Sequence, residues 1–169
     1  VFALANGASG VVIDEALYPA LVEALKLVAH ELALSVVRGG EGATKLVSIT
    51  VTGAATDADA WTAARAIANS PLVKTAVHGA DPNWGRLIAA AGRSGAAFVL
   101  DRARVRIGPL VLFEQGRPFD ERAPQAASYL QGRELAIEVA LGAGGRFSAT
   151  VWTCDLSAES VKINAEYRT

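Results

Sequence analysis

A chain of 169 residues that is 51% hydrophobic and 20% charged, with a formal net charge of -1, fits one ordinary domain, long enough to bury roughly two thirds of the surface its unfolded form would expose. That balance excludes a disordered tail and a basic nucleic-acid binder. The single cysteine, Cys154, rules out an internal disulfide, and no Cys/His cluster has the spacing of a zinc site, so a reducing, cytoplasmic compartment is expected.

Residues 1–10 lack the basic start and long apolar middle of a signal peptide, and the chain opens without Met as if inside an element, so upstream residues are expected. Over residues 14–38, Leu17, Leu21, Leu25, Val28, Leu32 and Val36 recur at spacings of three and four, which predicts a helix with one apolar stripe. Pro19 suits its first turn, and Gly39 and Gly40 stop it. Glu23, Lys26, His30 and Glu31 interrupt the stretch, so it reads as a core helix and not a membrane span, with His30 a partly buried packing residue. Residues 45–51 (KLVSITV) read as a strand with Leu46, Ser48 and Thr50 on one face and Val47, Ile49 and Val51 on the other. Thr56 stands where a cap should, ahead of Asp57 and Asp59, and a helix over residues 60–69 is ended by Pro71. A short strand is predicted over 72–77, then a loop carrying His78, Asp81, Pro82 and Asn83, then a helix over 84–93.

The second half reads as short β runs at 104–107, 110–114, 135–141 and 147–154, the last two forming a hairpin through the turn at 142–145. Helices are predicted over 123–130 and 158–167, the latter capped by Ser157 and offering Val161, Ile163 and Ala165 as apolar surface. Helices interleaved with hairpins predict an α+β fold, with helices layered over largely antiparallel sheets in a single domain spanning 1–169. The glycines give neither a dinucleotide fingerprint nor a phosphate loop: Gly39, Gly40 and Gly42 follow a helix, and Gly142, Gly144 and Gly145 link two strands.

Three segments could carry chemistry. In GGEGATK (39–45), the glycines let the backbone approach a ligand closely, and Glu41 could hold an ammonium by charge-assisted hydrogen bonds; the plainer reading is a helix-to-strand turn with a solvated Glu. In HGADPNWGR (78–86), His78 and Asp81 could pair as acid and base and Asn83 could cap the next helix. The scaffold reading has Pro82 fixing the turn, Trp84 anchoring it in the core and Arg86 bonding carbonyls. At the terminus, Asn164 and Thr169 offer an amide and a hydroxyl to a small polar ligand, against the alternative of a surface helix packed through Val161 and Ile163. No Ser lies in a nucleophile elbow, and Cys154 sits in an apolar strand as a small hydrophobe.

Taken together, the stretches at 3–9 (ALANGAS), 38–45 (RGGEGATK), 56–60 (TDADA), 70–87 (SPLVKTAVHGADPNWGRL) and 154–169 (CDLSAESVKINAEYRT) resemble, in order, those of the ornithine acetyltransferase (glutamate N-acetyltransferase, ArgJ-like) family. The resemblance implies a precursor that cuts itself before a Thr, giving an upstream α chain and a downstream β chain whose new N-terminal Thr is the nucleophile. It implies that this chain is the C-terminal, β-chain part, with no catalytic residue of its own because the nucleophile lies before Val1 and the oxyanion donors lie on the α chain. Acetyl would pass from N-acetylornithine to glutamate by a ping-pong route through an acetyl-threonine, in arginine biosynthesis, with no cofactor and no metal. Carried over residue by residue, the substrate-binding positions are Glu41, Asn164 and Thr169.

The family also implies a fold like that of N-terminal-nucleophile hydrolases, an α chain as partner, and an α2β2 or larger assembly, with no nucleic acid and no membrane. Gly39 stands where the family stretch has Asp, which keeps open a specialised paralogue in secondary metabolism. A self-cleaving aminopeptidase of related fold and a noncatalytic amino-acid-binding domain are the rival readings.

Overall fold

The computed structural model describes residues 4–166. The chain divides into two compact units, residues 1–36 and residues 37–169.

In the first unit Gly10 N–H donates to Gly7 O in a tight turn, and Asp14 Oδ1 accepts from Ala16 and Leu17 N–H as the chain enters α1 (Tyr18–Arg38). The expectation of a buried stripe does not hold: Leu34 is the buried residue of the helix, while Leu25, Val28, Leu32 and Val36 are exposed, as is His30. Spacing set the helix, but burial depends on a partner surface that spacing does not supply. Among the described residues no helix is long and apolar enough to cross a membrane.

The second unit is built on one six-stranded sheet in the order β4-β3-β2-β5-β1-β6. Its strands are β1 (Leu46–Ala54), β2 (Arg104–Ile107), β3 (Leu110–Glu114), β4 (Arg117–Pro118), β5 (Glu134–Ala140) and β6 (Phe147–Cys154). Pairing brings Val47, Ile49 and Val51 of β1 opposite Leu135, Ile137 and Val139 of β5, all buried on one face. The helices α2 (Asp57–Ala68), α3 (Pro71–His78), α4 (Trp84–Gly92) and α5 (Ala123–Leu130) bury their apolar residues in this same core. Residues on the other face, such as Ser48, Thr50 and Thr52, are only partly buried, and there Glu138 pairs with Arg104 and Arg106. The expected α+β class and the facing of β1 are borne out, and among the described residues only β1 with β5 runs parallel.

Two local expectations are corrected. Residues 72–77 are not a strand but most of α3. Ser70 Oγ accepts from Val73 N–H, Pro71 occupies the first turn, and Val73, Ala76 and Val77 fall at helical spacing on the buried side. A run of β-branched and apolar residues this short fits either period, and the cap decides it. Strands β5 and β6 are not a hairpin: β1 lies between them, parallel to β5 and antiparallel to β6. The glycines at 142–145 carry the chain over the end of β1, with Gly142 at φ +68 and Gly145 against the backbone of Ala54, leaving no room for a Cβ.

The remaining boundaries follow local chemistry. Thr56 Oγ1 accepts from Asp59 N–H at 3.0 Å and Asn83 Oδ1 from Arg86 N–H at 3.2 Å. Trp84 stacks on Phe113 with centroids 4.9 Å apart, and Arg86 Nη1 donates to Leu72 O at 2.9 Å, as the scaffold reading of that loop expects. Ile49 is fully buried on β1, between β5 and β6. Replacing it with Ala should lower the unfolding free energy by about 2–5 kcal/mol, measured as a lower denaturant midpoint at unchanged slope.

Candidate functional site

The loop between α1 and β1, the end of α3 and the end of β6 meet at one carboxylate. Asp155, one residue beyond β6, is 1% exposed. Its Oδ1 accepts from the backbone N–H groups of Thr44 at 2.8 Å and Lys45 at 2.9 Å. Its Oδ2 accepts from Thr44 Oγ1 at 2.6 Å and lies 2.7 Å from His78 Nδ1. An ionised carboxylate only accepts, so Nδ1 carries the proton and Nε2 points away from the pair. Burial pushes the Asp155 carboxyl upward. The hydrogen bonds from the Thr44 hydroxyl, from His78 and from the Thr44 and Lys45 backbone outweigh it, so the group titrates below the usual 3.8.

Lys45 runs the other way along the same dipeptide. Its Nζ donates to Val77 O at 2.7 Å, Leu130 O at 2.7 Å and His78 O at 3.2 Å, which places a cation at the C-terminal ends of α3 and α5. All its N–H donors are used. Burial lowers the Lys45 pKa, and the Asp155 charge offsets part of that.

A second clamp holds the loop to α6 (Ala158–Glu166). Ser157 Oγ donates to Gly42 O at 2.6 Å and accepts from Ser160 N–H at 2.9 Å, so the expected cap of α6 also grips the loop. Gly42 has φ +69, and a Cβ there would lie 2.7 Å from Ser160 Cα. Only Gly allows the first turn of α6 to lie this close.

Glu41 lies on this loop, exposed, and among the described residues its carboxylate has no hydrogen bond or ion pair. Asn164 lies on α6, exposed, with Nδ2 donating to Ser160 O at 2.9 Å. The clamps therefore hold together the elements that carry Glu41 and Asn164. Thr169 and Tyr167 lie outside the described residues. Of the two apolar positions through which the alternative reading packs α6, Val161 is 56% exposed while Ile163 is half-buried, and Ser160 is the buried residue of the helix.

The pairing of His78 with Asp81 is also corrected. His78 faces Asp155, while Asp81 accepts from Asn83 Nδ2 at 3.1 Å. The end of α3 turns the imidazole toward β6, a direction that distance along the chain does not encode. Asp155 and Lys45 are the site residues that sequence reasoning missed. The one available signal was a carboxylate directly between an apolar strand and the Ser157 cap.

A cleft of about 330 Å³ opens beside the loop, lined by Arg38, Thr44, Lys45, Arg133 and Glu134 among others. Arg38 and Glu134 are paired across it at 3.1 Å. Cys154 Sγ receives Lys74 Nζ at 3.7 Å, a contact more polar than the small-hydrophobe reading. Among the described residues no group of His, Cys, Asp and Glu is placed to hold a metal ion.

Because Asp155 titrates lower in the folded state than in the unfolded chain, its stabilisation is complete above the ordinary carboxylate value and is lost as pH falls through the folded one. Thermal melts should show stability falling below about pH 4, and Asp155→Asn should flatten that fall while lowering stability at neutral pH.

The chain matches the ArgJ family over residues 1–169. It is 51% identical over 166 residues to the arginine biosynthesis bifunctional protein ArgJ of Ruegeria pomeroyi, an alignment covering 97% of this chain and 40% of that protein. The protein of the same name from Prochlorococcus marinus is 44% identical over 173 residues, covering 96% of this chain and 40% of the relative. A crystal structure of the arginine biosynthesis bifunctional protein ArgJ from Bacillus halodurans has a similar fold, with a TM-score of 0.85 at 39% identity over 93% of this chain and 74% of that one. The chain thus spans about 40% of the length of the curated relatives it matches. Since the family match runs over residues 1–169 of this chain and the fold agrees, the resemblance read from the motifs is borne out, and the chain belongs to the ArgJ family.

Proposed function

We propose that this chain is the downstream part of a self-cleaving acetyltransferase that moves acetyl from N-acetylornithine to glutamate in arginine biosynthesis. The observation that carries the reading is an exposed Glu41 carboxylate, without a hydrogen bond or ion pair among the described residues, on a loop clamped at Gly42 and Thr44 in a chain of the ArgJ family. A fixed anion of this kind suits the side-chain ammonium of an ornithine donor. Asn164 and Thr169 supply polar groups to the same substrate.

The nucleophile is a threonine hydroxyl supplied from upstream of Val1. It attacks the acetyl carbonyl, the C–N bond breaks, the hydroxyl proton passes to the departing amine, and ornithine leaves. The amine of glutamate then attacks the acetyl ester, the C–O bond breaks, and the hydroxyl is restored. The upstream α chain supplies the oxyanion donors, and the reaction so written uses neither metal nor cofactor. The enzyme acts in the cytoplasm as an α2β2 or larger particle.

In the complete enzyme, Glu41→Ala should raise KM for N-acetylornithine by about 10-fold or more, the loss of one charge-assisted contact. Self-cleavage, read as the appearance of two chains on a denaturing gel, should persist. Unchanged kinetics in both half-reactions would remove Glu41 from the site. Deleting Thr169 should lower turnover with the melting temperature retained, and full activity after the deletion would return the terminus to the scaffold.

A further inference from the structure

We propose that Asp155 is a positioning residue for substrate binding: its buried carboxylate fixes the backbone that carries Glu41 against the start of α6, and so sets affinity for an ammonium-bearing acetyl donor. The inference rests on the reading of Glu41 given above.

Glu41 cannot place itself. It is exposed and, among the described residues, unpartnered, on a glycine-rich stretch whose backbone has few states excluded by sterics. Its position is therefore inherited from wherever the loop is tied. Within the loop, Gly40 N–H donates to Val37 O at 3.3 Å and Ala43 N–H to Gly40 O at 3.0 Å, bonds that shape the turn without attaching it to another element. The attachments nearest Glu41 are Ser157 Oγ on Gly42 O and the three bonds from Thr44 and Lys45 to Asp155, while the Lys45 ammonium ties the far end of the stretch to α3 and α5. Asp155 and Ser157 are two residues apart, and both immediately precede the helix carrying Asn164. One short segment, 155–157, thereby grips the loop on one side and begins α6 on the other.

The chemistry of the tie is suited to positioning. Two backbone N–H groups converging on one carboxylate oxygen fix two successive peptide planes. The second oxygen is shared between the Thr44 hydroxyl and the His78 imidazole, which binds the same point to the end of α3. A buried charge holds its donors strongly, because any donor that leaves exposes an uncompensated anion. Displacing the loop by the length of one hydrogen bond would move a charged contact out of range, a loss read in substrate binding before the acyl step.

The test uses the complete enzyme, with N-acetylornithine as donor, in a double-mutant cycle. Asp155→Asn keeps Oδ1 for the two backbone N–H groups and alters only the side facing Thr44 Oγ1 and His78. Thr44→Val, a milder change outside the core, removes one of those bonds. We expect Asp155→Asn to raise KM about 10-fold and Thr44→Val about 3-fold, with kcat within about twofold and self-cleavage intact. In a Glu41→Ala background, neither change should raise KM further, because the effect passes through Glu41.

A role confined to holding the fold would instead lower the melting temperature while leaving KM alone, or would add to the Glu41→Ala effect, and either result overturns the positioning role. If Asp155→Asn fails to fold, Thr44→Val carries the same comparison. If Glu41→Ala raises KM while Asp155→Asn and Thr44→Val do not, the positioning role falls and the proposed site stands. If Glu41→Ala itself leaves KM unchanged, both fall.

Discussion

The Asp155 carboxylate, buried and taking hydrogen bonds from Thr44, Lys45 and His78, is the joint on which this structure turns. Its partners lie 77 to 111 residues away along the chain. They are adjacent because β1 and β6 pair antiparallel, which sets the start of one beside the end of the other, at Leu46 and Cys154. An anion removed from water is tolerated only when its acceptor sites are filled, so the joint demands that the strand register and the end of α3 be right together.

Thr44 and Lys45 belong to two networks at once. Their backbone and the Thr44 hydroxyl serve Asp155, while the Lys45 ammonium closes the carbonyl ends of α3 and α5. Opposite charges are thus placed on either side of one dipeptide, each compensated by dipoles and by the other. The result is a fixed base for the loop before β1. Rigidity there is compatible with a solvent-facing Glu41, since among the described residues the loop is held by its backbone, by Thr44 and by Lys45 and not through Glu41 itself. A binding residue on a rigid support loses less freedom when it engages a ligand, which is the general advantage of presenting function on a pinned loop.

The layer arrangement serves the same end. Helices α2 to α5 share one core with the apolar face of the sheet, and β1 is central enough for its odd-numbered residues Val47, Ile49 and Val51 to be almost wholly buried. The strand that anchors the loop is thus paired on both sides and packed against the core. Membership of the ArgJ family adds a scale to this picture: the curated relatives are more than twice as long as the stretch aligned here.

Much of the secondary structure could be read from neighbouring residues. The caps at Thr56, Asn83 and Ser157, the glycine stop after Arg38, the facing of β1 and the extents of β2, β3 and β6 all rest on interactions spanning a few residues, which composition and period express directly. Glu41 and Asn164 were reached through motifs, and their chemistry follows from residue type. Tertiary structure decided what depends on distant partners. It placed β1 between β5 and β6, left the stripe of α1 exposed, turned residues 72–77 into a helix, and gave His78 to Asp155 instead of Asp81. The physical reason is the same in each case: which surfaces and donors meet is settled by pairings across the sheet, and a linear order of residues does not contain those distances.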